Sequence, residues 1–451
     1  LWSPSSFSQF SQNTTNGLGL ELLQSQYLTE APYIFQQDAY TDSRISYFSK
    51  GRFKSVRQME FALDLNLMIP FTGSVVSSGF YFPEAYLGYN LTPDIKLTVG
   101  RKLMAWSEAD RQHKLGIWEP LFRWDHSRPV SQGLLGASIE LEEKRFQLSL
   151  FASPLYLPDQ QAEIAVVDGR FESSNRWFRA PISTLEFQNS DIDLRYNLER
   201  PEFNDVVLQP TFAGSLIIKE KDSYGTWFRI SAASKPANQL HIAINAQESI
   251  NYNSLRFTAP VYPLVVRHNL LSLEFGLDEE NVRSYFSFTS EAYESPNIPQ
   301  KWEQTELSDS NYLVAGLDFM PMRLRGLPTW VSLGYLERNK LDPASGVTRI
   351  EGDVNASTSR MNFDRWFFAG ISMPVRLGRF GVLRNKFTLY HSPSDEADWL
   401  QGEVEYIQSP RASYFLTMDI FGTGLEQSDN PSFISTYRNN DRVLGGLRYV
   451  F

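Results

Sequence analysis

The chain has 451 residues, with 42 Lys and Arg against 52 Asp and Glu, a net charge of −10, and no cysteine. The acidic balance disfavours nucleic acid as a partner, and the missing thiols exclude a disulfide framework or a thiolate metal site. No run of about 18 apolar residues offers a membrane-crossing helix, although aromatic side chains reach 14% of the sequence.

The first fifty residues are the least regular. Gly17 to Tyr27 reads as a strand, while residues 1–50 can equally contain a separate segment outside any sheet. Gln58 to Ile69 is the clearest element. Met59, Phe61, Leu63, Leu65, Leu67 and Ile69 share one parity, and Gln58, Glu60, Ala62, Asp64, Asn66 and Met68 share the other. A strand sends these two sets to opposite faces. A helix would scatter Glu60, Asp64 and Asn66 across an apolar face.

The same alternation predicts strands over 84–91, 95–100, 135–141, 145–152, 191–198, 240–247, 400–406 and 413–420. Short turns are expected at 92–94, 142–144, 234–238, 278–281, 376–379 and 408–410. Longer connections fall at 103–130, 154–186, 293–309, 341–361 and 424–437. Short and long connections mostly alternate. A transmembrane barrel has tight turns at one end and long loops at the other, and shows lipid only alternate residues, so its mean hydropathy stays modest. The fold class expected is therefore all-β: a transmembrane, antiparallel, up-and-down barrel of about 18 strands (range 16–20), with residues 1–451 as one domain. Part of residues 1–50 would then be wall, lumenal or periplasmic. Short turns would face the periplasm and long loops the outside. The chain begins at Leu1 without a signal-peptide pattern and reads as a mature form.

The 103–130 connection is longer than adjacent antiparallel strands need. It carries Glu108, Asp110, Arg111, Arg123, Asp125 and Arg128, together with Trp106, Trp118 and Trp124. Three tryptophans on an outer loop would expose a large apolar patch, so the loop is expected to fold over or into the lumen and set the bore. Inward wall residues Arg101, Glu140 and Arg145 would pair with it, and Arg101, Lys102 and Arg128 would attract anions. Asp64, Glu403 and Glu405 are further pore-lining candidates. Hydrolase chemistry has little support. The chain offers His113, His126, His241, His268 and His391, and a nucleophile and base must meet in space. Ser107 with His113, and Asp125-His126-Ser127, come nearest in composition. His241 is expected on a lumen face as an ordinary polar residue. Asp278-Glu279-Glu280 and the group Glu306, Ser308 and Asp309 lack a full calcium loop. No catalytic residue, metal site or cofactor is assigned.

Two segments carry a resemblance. In Arg442-Val443-Leu444-Gly445-Gly446-Leu447-Arg448-Tyr449-Val450-Phe451, alternation runs up to a terminal Phe. This resembles the closing strand of bacterial outer-membrane β-barrels. Val99 to Glu119, a strand passing Gly100-Arg101 into a Trp-containing loop, is similar to large outer-membrane channels of the alginate-export type. The resemblance implies an outer-membrane location and contact with lipid and lipopolysaccharide. It also implies assembly by barrel-insertion machinery that reads the last strand, and a periplasmic aromatic girdle holding Tyr449 and Phe451. Periplasmic partners or further copies of the chain are compatible with it. The function expected is a water-filled, charge-lined channel for small polar solutes. A polymer-export pore and a plugged structural or adhesion barrel are the alternatives.

Overall fold

A computed structural model describes residues 16–52, 58–71, 78–187, 190–220, 224–245, 250–251, 256–294, 303–304, 309–324, 326–340, 364–378, 381–423 and 433–451. Eighteen antiparallel strands form one sheet. In chain order they are β1 (Asn16–Tyr27), β2 (Ala39–Arg52), β3 (Met59–Pro70), β4 (Gly79–Asn90), β5 (Ile95–Lys102), β6 (Leu134–Glu143), β7 (Phe146–Ser153), β8 (Thr211–Lys219) and β9 (Gly225–Pro236). The circuit continues through β10 (Arg267–Asp278), β11 (Val282–Tyr293), β12 (Ser310–Leu324), β13 (Leu327–Lys340), β14 (Arg365–Arg376), β15 (Val382–Ser392), β16 (Ala397–Ser409), β17 (Ala412–Thr423) and β18 (Arg442–Val450). Each strand pairs with its neighbours in sequence, and β18 pairs back onto β1 from Gly19↔Val450 to Tyr27↔Arg442. Closure leaves no open edge, as a sheet in lipid requires.

The period of two sorts side chains into wall and lumen. On β10, Leu271, Leu273 and Phe275 are exposed outward, while Ser272 and Glu274 between them are buried inward. On β3 the buried Asn66 points inward, and Leu65 sits opposite the outward-exposed Tyr47 of β2. On β18 Arg448 is buried inside and Tyr449 is exposed outside. A ring of exposed Leu, Ile, Val, Phe and Tyr thus encircles the barrel, suited to hydrocarbon and not to water. Gly100 on β5 sits at φ +125°, and a Cβ there would lie 2.3 Å from the Ala85 carbonyl oxygen. Only glycine allows that approach of β4 and β5.

One end of the barrel has short turns, such as 91–94, 144–145 and 279–281. The other carries longer connections, among the described residues 28–38 and 103–133; 393–396 is its short exception. Asn16–Tyr27 and Ala39–Arg52 are strands of the barrel wall, joined by the 28–38 connection; residues 1–15 lie outside those described.

Two sequence expectations are corrected. Ser190–Leu198 and His241–Ile244 are not wall strands. They join a separate six-stranded sheet with Thr184–Phe187, Ile250–Asn251, Arg256–Leu264 and Glu303–Gln304, built from the long connections. Ser190–Leu198 runs parallel to Arg256–Leu264, which an up-and-down barrel does not allow. Its apolar face packs as Leu194, Tyr196, Ile244, Ala259 and Val261. Alternation shows that a strand is half buried, not which sheet buries it. Accordingly, 234–238 is no turn: β9 runs to Pro236 and its connection extends to 266. His241 lies in this second sheet, its ring centroid 6.2 Å from that of Tyr293.

Candidate functional site

The 103–133 connection enters the barrel and ties itself to inward wall residues on several sides. Its centre is a short helix, Glu108–His113, with Ser107 as N-cap. Acidic Glu108 and Asp110 occupy its first turn, and basic Arg111 and His113 its last, matching the helix dipole. The wall carboxylate of Glu274 accepts from Ser107 Oγ at 2.7 Å and from the Glu108 amide at 2.9 Å, and pairs with Arg229 of β9 at 2.7 Å. His113 Nε2 lies 2.7 Å from the Tyr285 hydroxyl on β11, and its ring centroid is 5.0 Å from that of Phe368 on β14. From β5 to β14 is nine strands of eighteen. The connection therefore spans the bore.

Its descending limb is fixed by charge. Arg128 pairs with Asp419 of β17 at 2.6 Å, and Arg442 of β18 bridges Asp419 at 3.0 Å and Asp125 at 2.5 Å. Buried Trp106 and Trp118 stack at 5.9 Å, and Trp106 meets Phe151 of β7 edge-on. Trp124 stacks near Phe122. The 154–210 connection and the short helix Phe433–Tyr437 join from above: Arg123 pairs with Asp159 at 2.9 Å, and Trp177 stacks between His126 and Phe433.

A cavity of about 980 Å³ remains beside the loop and between the walls. Of the sequence-predicted residues, Asp64, Glu108, Arg111, Arg123, Asp125, Arg128 and Glu403 line it. The others do not. Arg101 is buried over the Phe82 ring and donates to the Gly133 carbonyl at 2.8 Å. Lys102 and Glu140 pair with each other across β5 and β6. Asp110 turns back into its own loop, accepting from the Ile117 amide at 3.0 Å. Glu405 is held by Arg448 at 3.2 Å. Arg145 is exposed in the 144–145 turn, at the short-turn end of the barrel. Parity along a strand gives a face but neither depth nor partner, so the places of Arg101, Lys102, Glu140 and Arg145 were not legible from it. Tyr449 and Phe451 lie exposed at the short-turn end, their rings edge-to-face at 4.8 Å.

Sequence reasoning missed the far-side wall: Glu274, Arg229, Tyr285, Arg283, Asp318, Trp366, Tyr390, Lys386, Asp419 and Arg442 all face inward, all but Glu274 and Asp419 lining a cavity. The signal was there for Glu274, a lone carboxylate alternating with Leu271, Leu273 and Phe275.

Within the lumenal connection, burial raises the Glu119 carboxyl to about 8, although it accepts from the Met104 amide at 2.7 Å. Burial lowers His113 to about 4 and His126 to about 3. At Asp125 burial pushes upward, but Arg442 and Arg128 overcome it and hold the carboxyl well below the ordinary range. Among the described residues no three His, Asp or Glu side chains are placed to hold a metal ion. The group at 306–309 lies largely outside the described residues. Ser107 is engaged by Glu274, and His113 by Tyr285.

No protein-family model matches the chain, and no curated protein matches it. Solved structures do. The chain is similar to OccAB3 of Acinetobacter baumannii, at 12% identity over 98% of this chain and 99% of that one, with a TM-score of 0.50. OccAB4 of the same organism matches at 9% identity over 98% and 99%, with a TM-score of 0.46. A porin of Rhodopseudomonas blastica matches at 8% identity over 97% and 99%, with a TM-score of 0.36. The fold shared with OccAB3 is an 18-stranded closed antiparallel barrel, apolar outside and lined by charged and polar residues within. An apolar belt around a closed barrel is the surface that a transmembrane barrel turns to lipid.

Proposed function

We propose that this barrel is a passive channel for small polar solutes, with the 103–133 connection as its constriction. The observation that carries this reading is the span of that connection from β5 to β14, with a polar cavity of about 980 Å³ left beside it. Solutes would diffuse past side chains of both signs, and selectivity would come from bore and charge. No catalytic step is involved. Arg101 and Lys102 contribute little to anion attraction, because both are turned to other partners; Arg111, Arg123 and Arg128 are the loop cations at the cavity. The outer belt would meet lipid and lipopolysaccharide, the barrel-assembly machinery would act on β18, and Tyr449 and Phe451 would belong to the periplasmic girdle.

The test is single-channel conductance of the purified protein in a planar bilayer, before and after excision of 107–127. A higher conductance after excision is expected; an unchanged one removes the constricting role. Glu274→Gln, which loosens the loop without deleting it, guards against misfolding of the excised form. The plugged-barrel alternative draws on the aromatic packing of Trp106, Trp118, Trp177 and Phe433 in one cluster. Absence of any conductance in the intact protein would favour it.

A further inference from the structure

A buried polar chain runs across β9, β10, β11 and β12 behind the lumenal connection. Its members Lys235, His268, Glu291 and Tyr312 are each at most 2% exposed. His268 Nδ1 meets Glu291 Oε1, and the second oxygen of that carboxylate accepts from the Tyr312 hydroxyl at 2.7 Å. On its other side, His268 Nε2 lies 3.4 Å from Lys235 Nζ. Lys235 donates to Asn238 Oδ1 at 2.6 Å and to the Ile117 carbonyl at 3.4 Å. Asn238 in turn donates to the Gly116 carbonyl at 2.7 Å and to that of Ile117 at 3.2 Å. Gly116 and Ile117 follow the lumenal helix within the 103–133 connection. The polar chain therefore ends on the loop that crosses the bore.

The partners of His268 fix its proton. A carboxylate only accepts and an ammonium only donates. A neutral imidazole here therefore carries its hydrogen on Nδ1 and turns the Nε2 lone pair to Lys235. In that state one buried cation balances one buried anion. The remaining surroundings supply no counter-charge to the Nε2 side. Tyr293 stacks on the imidazole at 5.8 Å, His241 lies edge-on beyond Tyr293, and Asp309 accepts from the Tyr293 amide at 2.8 Å. Arg267 and Glu294 pair with each other at 3.6 Å. The lumenal connection meets the chain with the carbonyls of Gly116 and Ile117, which carry no charge. A second proton, on Nε2, would set two cationic donors 3.4 Å apart and leave one excess charge in a buried site. The imidazolium keeps Glu291, so Lys235 is the group that leaves. Asn238 then loses the ammonium that orients it, and the loop loses its donors. We infer that His268 is a proton-sensitive positioning residue: neutral, it latches the lumenal connection to the wall through Lys235 and Asn238, and protonated, it releases it. The loop is held near neutral pH and loosened in acid.

The latch rests on the channel reading only for its purpose, and the test separates the two. The chain has no cysteine, so one nitroxide attached through Gln112→Cys, on the lumenal helix beside the cavity, reports the motion of the loop alone. Between about pH 7.5 and about pH 4.5 its rotational correlation time should fall about threefold. In His268→Gln the amide still donates to Glu291 and accepts from Lys235 but takes up no proton, so the label should stay slow throughout. Lys235→Met removes the donor that orients Asn238, and the label should be fast at both pH values. Glu119, His113 and His126 are unchanged in both variants, so an acid response of their making would survive the substitutions. A label that ignores acid in the otherwise unaltered barrel, or an acid response that persists in His268→Gln, overturns the latch. Should His268→Gln fail to fold, an undiminished acid response in Lys235→Met overturns it equally. Single-channel conductance is recorded on the same proteins. A loop that loosens in acid while conductance stays constant keeps the latch and removes the constricting role.

Discussion

Glu119 and His113 make the lumenal loop sensitive to pH in opposite directions. Glu119 rises from an ordinary 4.5 to about 8 on burial. Between those values the folded loop keeps a proton that the unfolded chain has lost, so this group's contribution to stability declines as pH rises across that window. His113 falls from 6.5 to about 4. Its contribution declines as pH drops, because only the unfolded imidazole takes the proton. Glu119→Gln keeps an acceptor for the Met104 amide and removes the first effect alone. The stability of Glu119→Gln relative to the parent protein should therefore increase from pH 5 to pH 8, read as denaturation midpoints at several pH values. A difference that stays constant with pH would refute the assignment.

At the level of strands and loops, β3 offers a direct test of facing. Leu65 looks outward near the middle of Met59–Pro70, so Leu65→Arg should cost about 2–4 kcal/mol in a bilayer-based unfolding assay. Asp64→Asn, on the cavity side, should be tolerated. The lumenal helix offers a second. Glu274→Ala removes the acceptor for the Ser107 hydroxyl and the Glu108 amide and leaves Arg229 buried beside Trp227 without its carboxylate. Breaking such a pair costs roughly 3–5 kcal/mol, and open-channel current noise should rise with the freed helix. Noise unchanged from the parent would show that Glu274 does not position the loop. These two elements also mark what the sequence could tell. The alternation from Met59 to Ile69 was enough to orient β3, because one face must be uniformly apolar in lipid. The length and tryptophans of 103–130 were enough to send that loop inward. Its landing points were not legible: Glu274, Tyr285 and Asp419 lie about 165, 170 and 290 positions along the chain from their partners, and no local pattern joins them. Ser190–Leu198 misled for the reverse reason, since its alternation is real but serves a second sheet.

For the whole molecule, the seam between β1 and β18 should control how the barrel forms. Phe451 donates its amide to the Leu18 carbonyl at 2.9 Å and projects its ring outward at the short-turn end. Deleting Phe451 should slow membrane insertion several-fold while leaving the unfolding midpoint of the finished barrel nearly unchanged. Insertion at the parent rate in a reconstituted assembly reaction would count against a role for this residue.

That seam has a kinetic consequence of its own. Gly19 and Val450 become neighbours only when the circuit is complete, and bringing together points so distant along a chain costs on the order of 5 kcal/mol in loop entropy if nothing guides them. Every other wall contact joins strands adjacent in sequence, so the hairpins can zip early and cheaply. Within the wall, this closing pairing alone carries so long-range a cost. Until it happens, two raw strand edges, Asn16–Tyr27 and Arg442–Val450, are open to strangers. A barrel of this design is most exposed to mispairing with a second copy in the interval just before it closes, and its yield should fall with concentration in refolding experiments well before its finished stability shows any weakness.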